Sequence, residues 1–240
     1  MGKKRCMAIV LAGGQGKRMG ANVHKQYLEI NGKPLIYYTL TAFETSKVID
    51  DVILVVGEGQ VDYVRTEIVK NFDFRKVRRI VVGGKERYDS VWEGLKAAKD
   101  ADSSEESYIF IHDGARPFVD EAMLLRAYDG VRKYRACVVG MPSKDTVKLV
   151  DEEGFAVSTP DRRFVWNIQT PQVFEMNLIN EAYSRLMGKD YIQVTDDAMA
   201  VEQEMGIPVK LVEGSYENIK ITTPEDLDIA EVFLHDNKKK

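Results

Sequence analysis

The sequence predicts an α/β fold built on a mostly parallel sheet. Short runs rich in apolar and β-branched residues alternate with longer amphipathic stretches along the chain. These short runs are apolar almost throughout, which is typical of parallel strands covered by helices on both faces. With 240 residues and an apolar share of 44%, the chain can bury one core. We therefore expect a single domain over residues 1–234, followed by a solvated tail at 235–240.

The first half of the chain carries four strand–helix alternations and a fifth strand. The predicted strands are 6–12, 51–57, 77–83, 107–113 and 136–142. The predicted helices between them are 34–46, 59–71, 88–99 and 120–134. Asn31-Gly32 predicts a hairpin turn after a short strand at 26–30, and Pro34 suits the first turn of the helix that follows.

The rhythm changes after the fifth strand. The stretch "KDTVKLVDEEGFAVSTPDRRFVW" contains two runs of alternating polarity around "DEEG", and no helix fits between them. This pattern predicts a β-hairpin inserted into the α/β body at about 143–168. Several of its apolar side chains have little to cover them: Val147, Leu149, Phe155 and Val157. The hairpin is expected either to project as an arm that packs on a second subunit or to fold back on its own domain.

The last third of the chain returns to helices and strands. Helices are predicted at 175–187 and 196–205, and strands at 208–214 and 217–221. Thr195 suits the N-cap of the helix that follows it. A final helix is predicted from Pro224, because Thr223 suits its N-cap and acidic residues occupy its first turn.

Composition excludes several classes of protein. The net charge of −4, from 34 basic and 38 acidic side chains, argues against a broad nucleic-acid surface. No apolar run approaches the roughly 18 residues that a bilayer span requires. The three histidines have no metal-ligand spacing to one another or to a cysteine, so zinc is not expected. Cys6 and Cys137 lie in strand-like runs and are expected to be free thiols in a reducing cytoplasm.

A glycine-rich stretch, "LAGGQGKRMGANVHKQYL" at 11–28, follows the first strand and predicts a phosphate site. It is not a P-loop, because the Gly-Lys pair at 16–17 is followed by arginine rather than by serine or threonine. It does not fit a dinucleotide turn, because Met19 stands at the third glycine position. Two interpretations remain. Backbone N–H groups hold a phosphate with Arg18 and Lys25 closing over it, or the stretch is an ordinary strand-to-helix turn.

Polar side chains follow other predicted strands as well. Ligands of open parallel sheets bind beyond the carboxyl ends of the strands, so these loops are expected at one rim. Gly83, Gly84 and Ser90 follow the third strand and offer backbone and hydroxyl groups to a base or ribose. Asp113 and Arg116 follow the fourth strand, where Asp113 suits magnesium or ribose, or else caps a turn.

Two further residues have both a site interpretation and a structural one. Lys220 in "ENIKIT" is directed from a late strand, either into the site or into a salt bridge. Thr195 in "TDDA" either approaches the site or only caps its helix.

Taken together, these segments resemble one family, the 2-C-methyl-D-erythritol 4-phosphate cytidylyltransferases of the non-mevalonate isoprenoid route. Eight segments stand in the family's order and cover about residues 7–234. They are "LAGGQGKRM", "KQYL", "GGKERYDSV", "HDGARPF", "DTVK", "QTPQVF", "TDDA" and "ENIKITTPEDLDIAE". Each segment alone is weak evidence, but eight in order are highly specific.

The resemblance implies a Rossmann-like nucleotidyltransferase with a projecting β-hairpin arm, and a homodimer joined through the arms. It implies a cytoplasmic reaction of CTP with methylerythritol phosphate and Mg²⁺, giving CDP-methylerythritol and pyrophosphate. It implies no nucleic-acid or membrane partner. Two alternatives stay open: a ribitol-5-phosphate cytidylyltransferase with the same fold, nucleotide and arm, and a non-catalytic CTP-binding module.

The matched motifs carry residue roles with them. Those that the resemblance assigns to catalysis are Arg18, Lys25, Arg162 and Lys220. Those assigned to CTP are Ala12, Gly13, Gly14, Gly16, Gly84, Lys85, Ser90 and Asp113. Asp113 is also the candidate Mg²⁺ ligand, with most of the metal's contacts coming from CTP phosphates. Those assigned to the polyol phosphate are Arg116, Thr146, Arg162, Thr170 and Thr195, with Thr146 and Arg162 reaching over from the partner's arm.

Overall fold

The computed structural model describes residues 3–14, 25–103, 106–190 and 192–237, with only the backbone described at Lys25, Asp236 and Asn237. Its strands are β1 (Cys6–Ala12), β2 (Glu29–Ile30), β3 (Lys33–Pro34), β4 (Asp51–Val56), β5 (Val77–Val82), β6 (Tyr108–Asp113), β7 (Ala136–Pro142), β8 (Leu149–Val150), β9 (Ala156–Ser158), β10 (Trp166–Glu175) and β11 (Lys210–Glu213). Its α-helices are α1 (Leu35–Thr45), α2 (Val61–Tyr63), α3 (Arg87–Ala101), α4 (Glu121–Tyr134), α5 (Met176–Leu186), α6 (Asp197–Met205) and α7 (Pro224–Asn237).

Seven of these strands form one open sheet in the order β11-β7-β10-β6-β1-β4-β5. The neighbours β6, β1, β4 and β5 run parallel, and β11 runs parallel to β7. Only β10 is antiparallel to its neighbours, β6 and β7. The predicted α/β fold with a mostly parallel sheet is therefore confirmed.

The central strands are apolar throughout because both of their faces are buried. Successive residues of β1 alternate between two core layers: Ala8 and Val10 pack in one layer, and Met7 and Ile9 in the other. Helices α1 and α4 cover the first layer, whereas α3, α5 and α6 cover the second. A strand buried in this way needs no polar face, which is the pattern that predicted it.

The Asn-Gly turn forms, but the elements around it differ from the prediction. Asn31 and Gly32 have φ of +51° and +72°, as a tight hairpin turn requires. Residues 25–27 form a 3₁₀ turn, so only the end of the predicted strand at 26–30 pairs. Pro34 pairs with Glu29 and is extended, with ψ of 144°, so it precedes the helix instead of entering it.

Two other boundaries also change. The predicted helix at 59–71 begins as α2 and continues as a π-helix over 64–70. Residues 217–221 do not form the predicted strand. Their backbone N–H groups donate locally, as Ile219 N does to Glu217 O at 2.7 Å, apart from the Ile221 N–H that reaches Ala115 O at 2.9 Å. Helix α7 begins at Pro224 as predicted, and it includes the first three residues of the predicted tail.

The two short strands β8 and β9 pair antiparallel with each other around Asp151–Gly154. Their apolar side chains are among the most exposed in the described chain, including Val157 at 64% and, next to β9, Phe155 at 68%. Gly154 has φ of +88°, a conformation that a side chain would strain. Whether this hairpin acts as an arm between subunits stays a prediction.

Across the part of the chain that the structure describes, we find no helix with the length and apolarity needed to cross a membrane.

Candidate active site

The carboxyl ends of four parallel strands lie side by side at one edge of the sheet. Ala12 at the end of β1 is level with Val56 of β4, which is level with Val82 of β5. On the other side of β1, Leu11 pairs with Asp113, the last residue of β6. The loops that follow β1, β5 and β6 therefore emerge at one rim, where open parallel sheets bind their ligands.

Asp113 is the centre of a charged cluster at this rim. Its Oδ2 lies 2.7 Å from Lys220 Nζ, and its Oδ1 lies 3.4 Å from Arg87 Nε. Burial alone would raise the pKa of Asp113, but the charges of Arg87 and Lys220 outweigh burial and hold this pKa well below its usual range. Lys220 thus forms the salt bridge that was one of its two predicted roles, while its side chain remains 38% exposed.

Arg87 joins Asp113 to a second carboxylate, Asp197 at the start of α6. Nη1 and Nη2 of Arg87 donate to the two oxygens of Asp197 at 2.9 and 2.8 Å, a bidentate pair. Asp197 is 0% exposed and also accepts a hydrogen bond from the Tyr183 hydroxyl. Burial would lower the pKa of Arg87, but Asp197 and Asp113 together raise it well above its ordinary value. The guanidinium therefore stays charged between two anions.

Lys220 is positioned by backbone contacts on both sides of it. Arg116 Nη1 donates to Asn218 O at 2.7 Å, and Asn218 Nδ2 donates to Thr170 O at 2.9 Å. Ile221 N donates at 2.9 Å to the carbonyl of the residue before Arg116. Because two neighbours of Lys220 are anchored to the loop after β6 and to β10, its ammonium group is held at the rim.

His112 is a structural residue beneath the rim, with its ring fully buried. Its Nε2 lies 3.1 Å from the Arg116 carbonyl, which can only accept, so Nε2 carries the proton. Its Nδ1 then accepts from Thr170 Oγ1 at 3.0 Å, and that oxygen accepts from Asp113 N at 3.1 Å. Thr170, predicted to contact the polyol phosphate, thus accepts a hydrogen bond from the last residue of β6 and holds it in place.

The neutral state of His112 makes stability depend on pH. Burial lowers the pKa of His112 from 6.5 to about 4. The Arg116 carbonyl and the charge of Asp113 favour protonation, whereas the charges of the Arg116 guanidinium and Lys220 oppose it. Between these values the unfolded chain binds a proton that the folded chain does not, so stability falls as pH falls. We expect this group to remove about 2 kcal/mol of unfolding free energy between pH 7.5 and pH 5.

The measurement is urea unfolding at both pH values. His112→Asn is expected to lose about 2 kcal/mol of the wild-type pH dependence. The control is His235→Asn, an exposed histidine on α7, which is expected to keep that dependence. An unchanged pH dependence in His112→Asn would contradict the assignment.

The loop after β5 folds tightly onto the start of α3. A side chain at Gly84 would clash with Asp89 Cβ, so the backbone lies against the helix. Glu86 and Asp89 form a reciprocal capping box. Ser90, predicted to contact nucleotide, donates to Glu86 O at 3.2 Å within the first helical turn. Lys85 is exposed at the turn itself.

Only the two ends of the predicted phosphate loop, residues 11–14 and 25–28, are described. Gly13 lies against the backbone of β4, where an added Cβ would be 3.4 Å from Val56 C. Gly14 has open space around its Cβ position. Gly16 and Arg18 lie outside the described residues, as does the side chain of Lys25, so their predicted contacts stay predictions.

The residues predicted to act from the hairpin lie on its surface. Arg162 is exposed and its Nη1 donates to Lys144 O at 3.0 Å, which joins the two ends of the hairpin region. Thr146 is exposed close to Lys144.

Thr195 is not the N-cap of α6. Asp196 has that role, since its Oδ1 accepts from Met199 N at 2.9 Å and the helix begins one residue later than predicted. The hydroxyl of Thr195 instead contacts the Met199 sulfur at 3.7 Å. Aspartate competes well for N-cap positions, and the sequence offers both residues side by side.

The prediction missed the residues that complete the charged cluster: Arg87, Tyr183, Asp197 and Asn218. Arg87, Asp197 and Asn218 lie inside segments that were already proposed for the site, "GGKERYDSV", "TDDA" and "ENIKIT". That position is the only indication of their role that the sequence offers. The pairing itself joins residues 110 positions apart, and neither periodicity nor spacing reveals such a pair in one sequence. Among the described residues, no group of three or more His, Cys, Asp and Glu side chains could hold a metal ion.

An open, mostly parallel sheet with a glycine-rich sequence after its first strand and a cluster of charged side chains at its rim is typical of an α/β protein of the nucleotide-binding class. The family described as 2-C-methyl-D-erythritol 4-phosphate cytidylyltransferase matches residues 6–236 of the chain. The chain belongs to this family, whose members are nucleotidyltransferases.

Individual relatives are similar to this chain over almost its full length. A 2-C-methyl-D-erythritol 4-phosphate cytidylyltransferase of Lachnospira eligens is 50% identical over 228 residues, which cover 95% of this chain and 98% of the relative. The enzyme of that name from Lachnoclostridium phytofermentans is 48% identical over 235 residues, 98% of each chain. The crystal structure of 4-diphosphocytidyl-2C-methyl-D-erythritol synthase from Anaerococcus prevotii superposes with a TM-score of 0.84 at 37% identity, covering 97% of each chain.

Proposed function

We propose that this chain joins CTP to 2-C-methyl-D-erythritol 4-phosphate, forming CDP-methylerythritol and pyrophosphate in isoprenoid precursor synthesis. The observation that carries the proposal is the family match over residues 6–236, supported by the position of Lys220 in the charged cluster at the rim of the sheet. The predicted cytoplasmic location is part of the same proposal. It rests on Cys6 and Cys137, two buried free thiols.

The reaction requires positive charge near the phosphates and does not require a general base. A phosphate monoester has a second pKa near 6 and is largely dianionic at neutral pH. One of its oxygens attacks the α-phosphorus of CTP, the new phosphorus–oxygen bond forms, and the bond to the β-phosphate breaks to release pyrophosphate. The main barrier is bringing two polyanions together, which positioning and fixed cations lower.

Lys220 is the described cation best placed for this role. It lies 2.7 Å from Asp113, which holds the ammonium group in place before substrate arrives. When Lys220 turns to a phosphate, Arg87 still compensates the charge of Asp113. Arg18 and Lys25 are proposed to stabilise the triphosphate from the loop after β1.

Mg²⁺ fits this arrangement as a metal bound mainly by CTP. Magnesium is commonly held by one or two carboxylates together with substrate phosphates, and Asp113 is the carboxylate at the rim. The carboxylate already faces two cations, so it can supply only a small part of the metal's ligands. The ion would neutralise charge on the triphosphate when bound.

The hairpin is proposed to act between two subunits. Leu149, Phe155 and Val157 are 52%, 68% and 64% exposed, and nearby Phe164 is 80% exposed. Such apolar side chains in one place are typical of a covered interface. In a homodimer joined there, Arg162 would reach the polyol phosphate in the partner's site, together with Thr146.

A substrate panel tests the proposal. With CTP and Mg²⁺, we expect methylerythritol phosphate to release pyrophosphate with a kcat/KM about 100-fold above that of ribitol 5-phosphate. The reverse ranking would assign the ribitol enzyme instead. CTP binding without turnover on either polyol phosphate, unchanged by Lys25→Ala, would indicate a binding module.

A further inference from the structure

One tyrosine outside the cluster connects the hairpin to the segment that carries Lys220. Tyr216 lies four residues before Lys220, on the loop between β11 and α7. Its hydroxyl donates to Pro142 O at 3.0 Å. Its ring lies beneath Lys144, with Nζ 3.6 Å from the ring centroid. Tyr216 therefore contacts both ends of residues 142–144, which lead into the hairpin.

The far end of the hairpin meets the same three residues. Arg162 Nη1 donates to Lys144 O at 3.0 Å, and Val165 O accepts from Ser143 N at 2.8 Å. The residues at 142–144 are thus bound by Arg162 and Val165 on one side and by Tyr216 on the other. A continuous path of contacts runs from Arg162 through Lys144 to Tyr216.

The Tyr216 loop is itself anchored to the body. Gln169 Nε2 donates to Ser215 O at 2.7 Å, directly before Tyr216. Asn218 Nδ2 donates to Thr170 O at 2.9 Å, two residues after it. Because its neighbours are fixed to β10, Tyr216 has a fixed position relative to the α/β body, and its contacts hold the start of the hairpin against that body.

We propose that Tyr216 is a positioning residue that sets the orientation of Arg162, and hence the binding of the polyol phosphate. The proposal rests on the proposed function for the substrate, but the contact path does not. Tyr216 touches no reacting group. It acts by holding Lys144, whose carbonyl accepts a hydrogen bond from the Arg162 guanidinium. It also fixes the end of β7 through its hydrogen bond to Pro142 O.

The test compares Tyr216→Ala with Tyr216→Phe and with a matched control. Tyr134→Ala is the control, because Tyr134 is equally exposed (41% against 42%) and also lies beneath lysines, Lys133 and Lys210, at the end of α4. For Tyr216→Ala we expect the KM for methylerythritol phosphate to rise about three- to tenfold. Its kcat and its affinity for CTP are expected to stay within about twofold, since a lost cation–π contact and hydrogen bond act only on the hairpin.

Tyr216→Phe keeps the ring under Lys144 and is expected to recover part of the loss. An unchanged KM in Tyr216→Ala, or an equal change in the Tyr134→Ala control, would overturn the proposal. So would a loss of CTP affinity as large as the change in KM, because Tyr216 would then act on the nucleotide site.

Hydrogen exchange gives a readout that needs no activity. In Tyr216→Ala, backbone amides of residues 149–158 are expected to exchange faster than in the wild type, whereas Tyr134→Ala leaves them unchanged. A wild-type chain without turnover contradicts the proposed function, while altered exchange would still support the contact path. Unchanged exchange at 149–158 in Tyr216→Ala overturns the path even if the enzyme is active.

Discussion

Replacing Arg87 by methionine is expected to lower the free energy of unfolding by about 3–5 kcal/mol, the largest effect on stability that we predict. Methionine retains much of the side-chain volume but leaves Asp197 without its bidentate partner. Asp197 is 0% exposed, so water cannot replace the two lost hydrogen bonds at 2.9 and 2.8 Å. Urea unfolding at pH 7 measures the loss.

A matched arginine separates this effect from the loss of any surface charge. Arg65 pairs with Asp62 one helical turn away, and the two side chains are 48% and 91% exposed. Arg65→Met is therefore expected to cost less than about 0.5 kcal/mol. Adding Asp197→Asn to Arg87→Met removes the unpaired charge and should recover part of the stability. If both arginine variants lose equally little, Asp197 is not held as the structure shows.

The framework of the fold could be predicted from the sequence because burial determines it. The runs that became β1, β4 and β6 are apolar at nearly every position, and a glycine directly follows each strand at the rim. A strand covered on both faces has this pattern in any surrounding, so local sequence is enough to place it. The same holds for Asn31-Gly32, whose turn conformation few other pairs adopt easily.

Segments stabilised by distant partners could not be predicted in this way. Residues 217–221 alternate like a strand, yet Asn218 bonds to Thr170 and Ile221 bonds to Ala115 instead of to a strand neighbour. Each hydrogen bond of this segment goes to a different partner instead of to one neighbouring strand, and no local sequence pattern indicates that arrangement.

The residues of the candidate site also fall into those that local sequence could predict and those that depend on distant partners. Asp113 was predicted at the end of a strand and Lys220 on a late strand that does not form, and the two side chains meet at 2.7 Å. Arg87 stands in a predicted nucleotide loop, but its partner Asp197 is 110 residues away and 0% exposed. A charged residue that is buried is the exception among aspartates, so composition alone would place it at the surface.

Removing the charge of Lys220 is expected to have the largest effect on activity of any described residue. For Lys220→Gln we predict a fall in kcat of about 10²- to 10³-fold, the scale of losing one group directed at transition-state charge. The side chain is 38% exposed, so its removal should disturb folding far less than removal of Arg87. Steady-state release of pyrophosphate from CTP and methylerythritol phosphate measures the effect.

Two companions decide how Lys220 acts. Lys210→Gln changes a lysine at the exposed start of β11 and is expected to leave kcat unchanged. Asp113→Asn keeps Lys220 but weakens the carboxylate that holds it at 2.7 Å. If Lys220 acts on the reacting phosphates, adding Asp113→Asn to Lys220→Gln should recover nothing, because the ammonium group is still missing. If adding Asp113→Asn to Lys220→Gln recovers the lost activity, the lysine serves only to neutralise Asp113. The cations of the loop after β1 must then supply the charge that the transition state requires.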